Sequence, residues 1–346
     1  MVAGLVALAL FSALHPSGAA HRAARAAAPH RTARAARGAV TRVPAAARRR
    51  AAHVVRAATI PHLAPPERFV PLPGTLLPGE GGWRPYGRKV GGMTAVYEMH
   101  LATGPAFPGA QVGIAWMDTS LLRATLYSGS TIPGGGPYRH SAPVGGSAAR
   151  TLVAAFNAGF LMDNTNGGYF TDGKVVAPLR VGAASAVIYK SGRITVGMWG
   201  RDVRMTRAVA AVRQNLNLLV DHGRPVPGLN PNDTSVWGYT LGNQAHVWRS
   251  GLGVTPGGAL VYVAGADLDI TELADLLVRA GSVRAMELDI NTDAVSYSTY
   301  NPTLATGAAS PSNGTDLVAG MVGTPARYFY PWWSRDFFTM SARTTR

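Results

Sequence analysis

The acidic residues that could support chemistry lie close together near residue 287, in the sequence AMELDIN. Glu287, Asp289 and Asn291 alternate there with apolar residues, a pattern typical of a strand with one apolar and one polar face. A polar face that meets water is the commoner interpretation. However, this strand directly follows a predicted helix and is expected in the interior, where carboxylates are costly unless they are paired, hydrogen-bonded or facing a cleft. The polar face is therefore predicted to line a site.

A second polar concentration lies between residues 154 and 174, where an apolar strand ends at Asn157 and a loop rich in Asn, Asp and Gly follows. Such residues are also those that turns require. Asn157 fits that alternative poorly, because its amide follows a buried run and needs partners. Read as a calcium loop starting at Asp163, the segment places Thr165 and Gly167 at ligand positions, so no metal is predicted.

Arg249 lies in the middle of the apolar strand sequence HVWRSGLGVT. A guanidinium keeps its charge and needs a carboxylate or phosphate partner when it is buried. A structural ion pair with Glu287 or Asp289 and an anion-binding role are about equally consistent with this position. Both can hold within one site.

The sequence lacks the motifs of several common enzyme classes. It contains no cysteine, no Gly-x-Ser-x-Gly elbow, no P-loop and no His-Glu-x-x-His,. None of the histidines in the predicted folded part pairs at metal-ligand spacing. A hydrolase triad, P-loop phosphoryl transfer and zinc hydrolysis are therefore not expected, and no cofactor is predicted.

The net charge of +15 is concentrated near the start of the chain. Ten arginines between residues 22 and 56 leave only +5 for the remainder. This Ala-, Arg- and Pro-rich tail lacks the apolar pattern needed to fold alone. Its possible partner is an anionic cell-wall polymer, although an unattached linker is the simpler interpretation. No nucleic acid partner is expected, because the domain sequence shows no basic face studded with aromatic residues.

Three regions are predicted along the chain. Residues 1–20 read as a signal peptide or N-terminal anchor, because an apolar run precedes small residues at cleavage spacing. Residues 21–78 read as a disordered basic linker, and residues 79–346 as the folded domain. The protein is therefore expected to be secreted or associated with the cell envelope.

The folded part is predicted to be α+β, a single main domain with mixed, largely antiparallel β-sheets and a few packed helices. Strands are predicted at 94–102, 110–118, 121–129, 149–159 and 282–290, with hairpins turning at 191–192 and 256–258. A helix over 269–280 has a capping box, since Glu272 stands three residues after Asp269, and it ends at Gly281. A second helix is predicted over 208–223.

In this order, the segments from about residue 83 to about residue 300 resemble the phosphodiester glycosidase family. Four blocks carry the resemblance. Asn157-Ala158-Gly159-Phe160 is similar to the family's Asn-Gly-Gly-Phe block, and Gly168 with Asp172-Gly173-Lys174 is similar to its following Gly and Asp-Gly-Lys turn. Arg249-Ser250-Gly251-Leu252-Gly253 is similar to the family's Arg-Thr-Ala-Val-Gly strand, and the helix and strand ending at Asp289 are similar to its helix and Leu-Asp-Gly-Gly-Gly-Ser block. After Asp289 the chain departs from that glycine run, with Ile290, Asn291, Thr292 and Asp293, which indicates a divergent member with a remoulded pocket.

The resemblance implies a hydrolase that cleaves a sugar from a glycosyl phosphodiester in a cell-envelope polysaccharide or glycoconjugate. It implies catalytic roles for Asp289, Glu287 and Arg249, with the carboxylates acting on the oxocarbenium-like centre or on water and Arg249 neutralising the departing phosphate. The implied substrate-binding residues are Asn157, Gly159, Gly168, Asp172 and Asn291. The alternative is a non-catalytic envelope protein that binds polysaccharide through the same cleft.

Overall fold

The computed structural model describes residues 62–67, 69, 80–102, 111–165, 167–304, 306–323 and 325–344. The predicted signal peptide, 1–20, and most of the predicted linker, 21–78, lie outside the described residues and stay predictions. Among the residues that are described, no helix is long and apolar enough to cross a membrane.

Short apolar runs bounded by glycine, proline or serine form strands, which make up most of the regular secondary structure that is described,. The strands are β1 Arg84–Tyr86, β2 Val96–Ala102, β3 Gln111–Met117, β4 Leu122–Tyr127, β5 Leu152–Asn157, β6 Tyr169–Thr171, β7 Lys174–Ala177, β8 Ala184–Tyr189, β9 Ile194–Met198, β10 Val209–Gln214, β11 Leu218–Asp221, β12 Arg224–Pro225, β13 Val247–Val254, β14 Leu260–Leu268, β15 Arg284–Glu287, β16 Tyr297–Tyr300, β17 Gly314–Asp316 and β18 Phe337–Ala342.

These strands form three sheets whose neighbouring strands pair antiparallel. The large sheet has the order β1-β2-β3-β14-β13-β15-β11-β12. The second sheet runs β7-β6-β10-β8-β9, and the third runs β17-β16-β5-β18-β4. Both predicted hairpins are observed, as β8–β9 in the second sheet and β13–β14 in the large sheet.

Four helices are described: α1 Gly146–Thr151, α2 Met162–Thr165, α3 Thr234–Trp237 and α4 Ile270–Arg279. Three short 3₁₀ segments lie at Leu241–Asn243, Pro311–Asn313 and Arg327–Phe329. α4 is the predicted helix, and both halves of its capping box, Asp269 and Glu272, are present. Its end at Gly281, where φ is 90°, uses the conformational freedom of glycine,.

The large sheet is covered on both faces. Apolar residues of α4, including Leu273 and Leu277, pack with Val261 and Val263 in one core cluster. The opposite face contributes residues such as Tyr262 to a second cluster, which also contains residues of the two smaller sheets. The predicted α+β class with largely antiparallel sheets and a single main domain is confirmed.

The predicted helix over 208–223 is wrong. Residues 209–214 form β10, between β6 and β8 in the second sheet, and residues 218–221 form β11 in the large sheet. The chain breaks between them at Leu216, whose φ is 40°. A short buried apolar run is compatible with either period, and the sheet provides its backbone hydrogen bonds.

Two predicted strands are shorter in the structure than in the sequence analysis. Residues 146–151 form α1, so the strand predicted over 149–159 begins at Leu152 and ends at Asn157. The strand predicted over 282–290 covers only Arg284–Glu287. Asp289 therefore lies beyond the regular alternation that was used to place it on the face of Glu287.

Parts of the predicted linker that are described lie against the domain. The Leu63 amide donates to Asp118 Oδ2 at 2.7 Å. Phe69 is 2% exposed and belongs to the core cluster around α4. These residues extend the packed surface upstream of residue 79.

Glu98 on β2 is a buried acid, 0% exposed, near Thr299 and Asp316 of the third sheet. Burial raises the pKa of its carboxyl to about 8; Asp316 adds to the rise and Thr299 opposes it. Between the unperturbed value of 4.5 and 8, the folded protein holds a proton that the unfolded chain releases,. The stability contributed by this proton is complete below about pH 4.5 and is lost as the pH rises towards 8.

The Glu98→Gln variant, which cannot ionise, is therefore expected to gain stability relative to the parent protein as the pH rises. We expect the two free energies of unfolding to be similar at pH 4.5 and to differ by roughly 2–4 kcal/mol in favour of the variant at pH 8.5. Urea unfolding at both pH values measures this difference. A difference that is the same at both values would show that folding does not shift the pKa of Glu98.

Candidate active site

Arg249 and Glu287 form an ion pair on neighbouring strands of the large sheet. β13 and β15 pair with Gly251 opposite Glu287, which makes Arg249 a diagonal neighbour of the carboxylate,. Arg249 Nη1 lies 2.6 Å from Glu287 Oε1, and both side chains are at most 1% exposed. The ion pair that the sequence analysis offered as one alternative is therefore present.

The remaining donors of Arg249 are largely occupied by backbone carbonyls. Nε donates to Leu268 at 3.0 Å, Nη1 also to Trp237 at 3.4 Å, and Nη2 to Ala245 at 3.1 Å. With Glu287, these partners account for four of the five N–H donors of a guanidinium. In this arrangement Arg249 holds Glu287 in place and has little capacity left for a phosphate.

Glu287 has one committed and one free oxygen. Oε1 accepts from Arg249, whereas Oε2 is buried without a hydrogen-bond partner among the described residues. Burial raises the pKa of Glu287 to about 8; Arg249 lowers it, and nearby Asp289 raises it. Burial therefore brings the titration of this carboxyl, which forms the ion pair with Arg249 when ionised, close to neutral pH, and a group that can hold a proton there is suited to act as a general acid,.

Asp289 lies just beyond the end of β15 and is 2% exposed. Its Oδ2 forms an ion pair with Arg335 Nη2, and its Oδ1 accepts from the Asn291 amide at 3.0 Å. Burial raises the pKa of Asp289, while Arg335 opposes the rise. Its backbone is fixed as well, because the amide donates to the Ala158 carbonyl and the carbonyl accepts from the Ser250 hydroxyl.

A third buried ion pair, Arg213 with Asp336, was not found from the sequence. Nε lies 2.7 Å from Oδ2, and the side chains are 0% and 1% exposed. Arg213 also donates to the Gln214 and Phe160 carbonyls, and it lowers the pKa of Asp289. The available signal was Arg213 directly after the apolar run 208–212, but that segment was predicted as a helix.

Asn157 is predicted to bind substrate, yet its amide is fully engaged within the protein. Nδ2 donates to the Ala158 carbonyl and the Ser250 hydroxyl, both at 3.0 Å. Oδ1 accepts from the Tyr262 hydroxyl at 2.7 Å and the Ser296 amide at 3.1 Å. Asn157 therefore joins the end of β5 to the large sheet.

Gly159 lies at a close approach in the same place. A side-chain carbon added there would lie 3.0 Å from Asn215 Oδ1 and 3.1 Å from Arg213 Cζ. Asn215 in turn donates to the Glu287 carbonyl at 2.7 Å. Gly159 therefore allows the loop to pack on the ion-pair cluster, and it lies within the predicted site.

The other predicted binding residues lie in different places. Gly168 packs against Pro178 and donates to Gln214 Oε1 at 3.0 Å. Asp172 lies in the exposed β6–β7 turn and accepts from the Arg139 amide at 2.6 Å, on a separate cavity. Asn291 is exposed beside Asp289. The structure thus brings Asn157, Gly159, Arg249, Glu287, Asp289 and Asn291 together, but not Asp172.

Apolar residues pack around Gly238, next to Trp237, whose carbonyl accepts from Arg249. A side-chain carbon on Gly238, where φ is 96°, would lie 2.6 Å from Phe160 Cζ and 3.0 Å from Ile290 Cδ1. Phe160 and Ile290 are 6% and 7% exposed. The chain continues from Gly238 into the exposed residues around Leu241, and the Glu287 and Asp289 carboxylates are 0% and 2% exposed.

Among the described residues, one group of side chains has the spacing of metal ligands: His246, Asp269 and Glu272, whose ligand atoms lie within 4.8 Å of one another. Asp269 Oδ1 already accepts hydrogen bonds from the Thr271 amide and hydroxyl and the Glu272 amide. Glu272 Oε2 accepts from the Asp269 amide at 2.9 Å. These bonds cap α4 and explain the acidic residues without a metal.

The two tryptophans near the end of the chain differ in exposure. Trp333 packs on the core cluster of the third sheet and lies 4.2 Å from the Arg327 guanidinium. Trp333 therefore closes the edge of this core cluster. Trp332 is 64% exposed and stacks on Tyr330 at 4.5 Å.

Residues 150–289 match the family model described as phosphodiester glycosidase. The match contains Asn157, Arg249, Glu287 and Asp289, and the resemblance read from the sequence is confirmed over this segment. No curated protein matches the chain.

Three solved structures are similar to the chain at low identity. The zebrafish N-acetylglucosamine-1-phosphodiester alpha-N-acetylglucosaminidase catalytic domain, auto-inhibited by its pro-peptide, is 16% identical with a TM-score of 0.45, over 75% of this chain and 88% of that chain. A hypothetical protein from Synechocystis is 14% identical with a TM-score of 0.37, over 75% and 64%. A putative exported protein from Burkholderia pseudomallei is 13% identical with a TM-score of 0.31, over 67% and 74%.

The Arg249–Glu287 pair provides a direct test of the buried cluster. We expect Arg249→Met to lower the free energy of unfolding by about 3–5 kcal/mol, because the Glu287 carboxyl loses its partner while buried. Adding Glu287→Leu is expected to recover most of this loss. Chemical denaturation of the parent, single and double variants measures the cycle. A double variant that is less stable than Arg249→Met would contradict the explanation that Glu287 destabilises the protein once Arg249 is removed.

Proposed function

We propose that this protein is a glycosidase-type hydrolase that cleaves a sugar from a glycosyl phosphodiester in a cell-envelope polysaccharide or glycoconjugate. The phosphodiester glycosidase match over residues 150–289 supports this class of reaction. The observation that carries the proposal is the buried carboxyl pair, in which Glu287, with a free oxygen and a pKa raised to about 8, lies beside Asp289. Glycoside hydrolysis uses a pair of carboxyl groups, of which one can hold a proton and donate it.

In the proposed reaction, the bond between the anomeric carbon and the bridging oxygen breaks. The bridging oxygen leaves with the phosphate, and water supplies the new oxygen on the sugar. Glu287 delivers a proton to the leaving oxygen, and Asp289 stabilises the positive charge that develops at the anomeric carbon. The attacking water keeps one proton in the new sugar hydroxyl. It gives its other proton to Glu287, which restores the general acid.

Arg335 is the arginine of the cluster best placed to bind the phosphate. Its side chain is 17% exposed, compared with 1% for Arg249 and 0% for Arg213. A phosphate that engages Arg335 would compete with Asp289 for its donors and would leave Asp289 free to face the sugar. In this proposal Arg249 positions Glu287 and does not contact the leaving group.

The proposed reaction also requires access to the carboxyl groups. Both are at most 2% exposed, and Gly238, which follows the Arg249 partner Trp237, packs against Phe160 and Ile290. The adjoining segment carries the exposed Tyr239 and Leu241, which are 75% and 88% exposed. Displacement of this segment would open a path to Glu287, and its return would exclude water from the site.

A second function is favoured by the closure of the cluster. Each of its three arginines is paired with a carboxylate, and Asn157 makes its hydrogen bonds within the protein. A non-catalytic envelope protein that binds polysaccharide would keep such a cluster for stability. The two functions differ in whether any glycosyl phosphodiester is cleaved.

The test is turnover by the full-length protein on a panel of glycosyl phosphodiesters, including an N-acetylglucosamine phosphodiester. We expect Asp289→Asn to lower kcat by about 100-fold or more, because a neutral amide stabilises the developing charge poorly. We expect the parent's kcat/KM to fall as the pH rises through about 8, where Glu287 loses its proton,. Glu287→Gln should lower the rate and remove this alkaline decline.

The matched control is Glu98→Gln, since Glu98 has the same raised pKa of about 8 but lies near Thr299 and Asp316. This variant is expected to keep both the rate and the alkaline decline. Absence of turnover across the panel, with polysaccharide binding retained by Asp289→Asn, would favour the non-catalytic protein. If the alkaline decline in kcat/KM disappears in Glu98→Gln, the decline is caused by loss of stability at high pH and not by the titration of Glu287.

A further inference from the structure

A second, open cavity of about 800 Å³ lies where β4, β6, β8 and β10 meet. Its walls carry four cations, Arg123, Arg139, Lys190 and Arg207, and two aromatic side chains, Phe170 and Tyr189. The four cations are exposed. We call this cavity the basic groove.

The antiparallel pairing of β8 with β10 brings the cations of the basic groove together from distant parts of the chain. Lys190 follows the end of β8, and Arg207 precedes β10, which pairs with β8. The β8–β9 turn packs directly on β4: the Gly192 carbonyl accepts from the Ala124 amide at 2.8 Å. A side-chain carbon on Gly192 would lie 2.5 Å from Arg123 Cβ.

The positive charge of the basic groove is not balanced within the described protein. None of its four cations forms an ion pair with a described carboxylate, in contrast to the three arginines of the buried cluster. The single acid on its wall, Asp172, accepts from the Arg139 backbone. An open concavity with four unpaired cations concentrates anions.

The cations continue past the β8–β9 turn. On the other side of Ser191, a cavity of about 400 Å³ is lined by Arg193 and Arg343. Arg343 donates to the Ser191 carbonyl at 2.8 Å. A band of cations that spans two neighbouring cavities matches the repeated charges of a polymer better than a single phosphate.

The basic groove also lies next to the carboxyl cluster. Ala211 lines the groove, and Arg213, two residues further along β10, pairs with Asp336 in the cluster. Two residues span roughly 7 Å along a strand. The groove and the buried cluster are therefore close neighbours along β10.

We propose that the basic groove binds the phosphate groups of a phosphodiester-linked glycan or polyol chain, and that it holds this polymer while the carboxyl cluster acts on a glycosyl phosphodiester within it. Arginine and lysine donors recognise the phosphates, and Phe170 and Tyr189 provide apolar surface for the intervening carbon skeleton. This inference rests on the proposed function for the identity of the polymer, but not for the binding itself.

The experiment measures binding of the full-length protein to poly(glycerol phosphate) by calorimetry over a range of salt concentrations. The test variant is Lys190→Gln/Arg207→Gln, which removes two exposed cations of the groove. The matched control is Arg84→Gln/Arg224→Gln, which removes two exposed cations from the edge strands β1 and β12 of the large sheet. Polygalacturonate and a single-stranded oligonucleotide of equal charge are the competing polymers.

We expect the groove variant to bind poly(glycerol phosphate) at least tenfold more weakly, with a shallower dependence of log Kd on log salt concentration. The control variant should bind within twofold of the parent. Equal weakening in both variants, or equal binding of polygalacturonate, would overturn the proposal in favour of unspecific charge attraction. Tighter binding of the oligonucleotide would overturn it in favour of a nucleic acid ligand.

The outcome is separable from that of the proposed function. If the protein cleaves no glycosyl phosphodiester, polymer binding and its loss in the groove variant are still measurable. If the groove proposal is wrong, the groove variant will bind the polymer like the control, whatever the turnover. If both proposals hold, the groove variant keeps its kcat on a small glycosyl phosphodiester and shows a raised KM on the polymer alone.

Discussion

Three guanidinium–carboxylate pairs, two of them fully buried and the third, Arg335–Asp289, with a partly exposed arginine, join strands within and between the three sheets. Arg249 and Glu287 join neighbouring strands of the large sheet, and Arg213 of the second sheet pairs with Asp336 at the start of β18 in the third. Asp289, just beyond the end of β15, pairs with Arg335, which is the residue before Asp336. A buried charge is tolerated only beside its partner, so the ends of these strands can meet in few other ways.

The same burial gives the site its chemical character. Glu287 is 0% exposed, and the loss of hydration outweighs the attraction of Arg249, so its pKa rises. A carboxyl that can hold a proton near neutral pH can donate it, and Asp289, paired with the more exposed Arg335, has different surroundings,. Burial also separates both groups from solvent, so the proposed reaction requires neighbouring residues to move.

The sequence revealed those features that depend on local patterns. The capping box of α4 and the glycine-containing hairpin turns predicted their elements correctly, because neighbouring residues determine both. Glu287, Asp289 and Arg249 stood out because charges are rare in apolar runs. Arg213 was equally visible, but its strand has no clear period and was read as a helix, so its pairing with Asp336 was missed.

The basic groove could not be predicted from local patterns in the sequence. Its cations are spread from residue 123 to residue 207, and only the pairing of β8 with β10 and the packing of the β8–β9 turn on β4 unite them. Similarly, Asp172 and Asp289 both belong to family-like blocks, yet the fold places Asp172 on the groove and Asp289 in the cluster. Order along the chain did not determine which residues share a site.

The central claim is that the carboxyl cluster cleaves the bond between a sugar's anomeric carbon and a phosphate oxygen. The most direct measurement is hydrolysis of an N-acetylglucosamine phosphodiester by the full-length protein in water labelled with the heavy oxygen isotope, with mass spectrometry of both products. The account predicts the label on the released sugar and none on the phosphate, because water attacks carbon. Label on the phosphate would mean that the phosphorus–oxygen bond breaks, and it would contradict the roles assigned to Glu287 and Asp289.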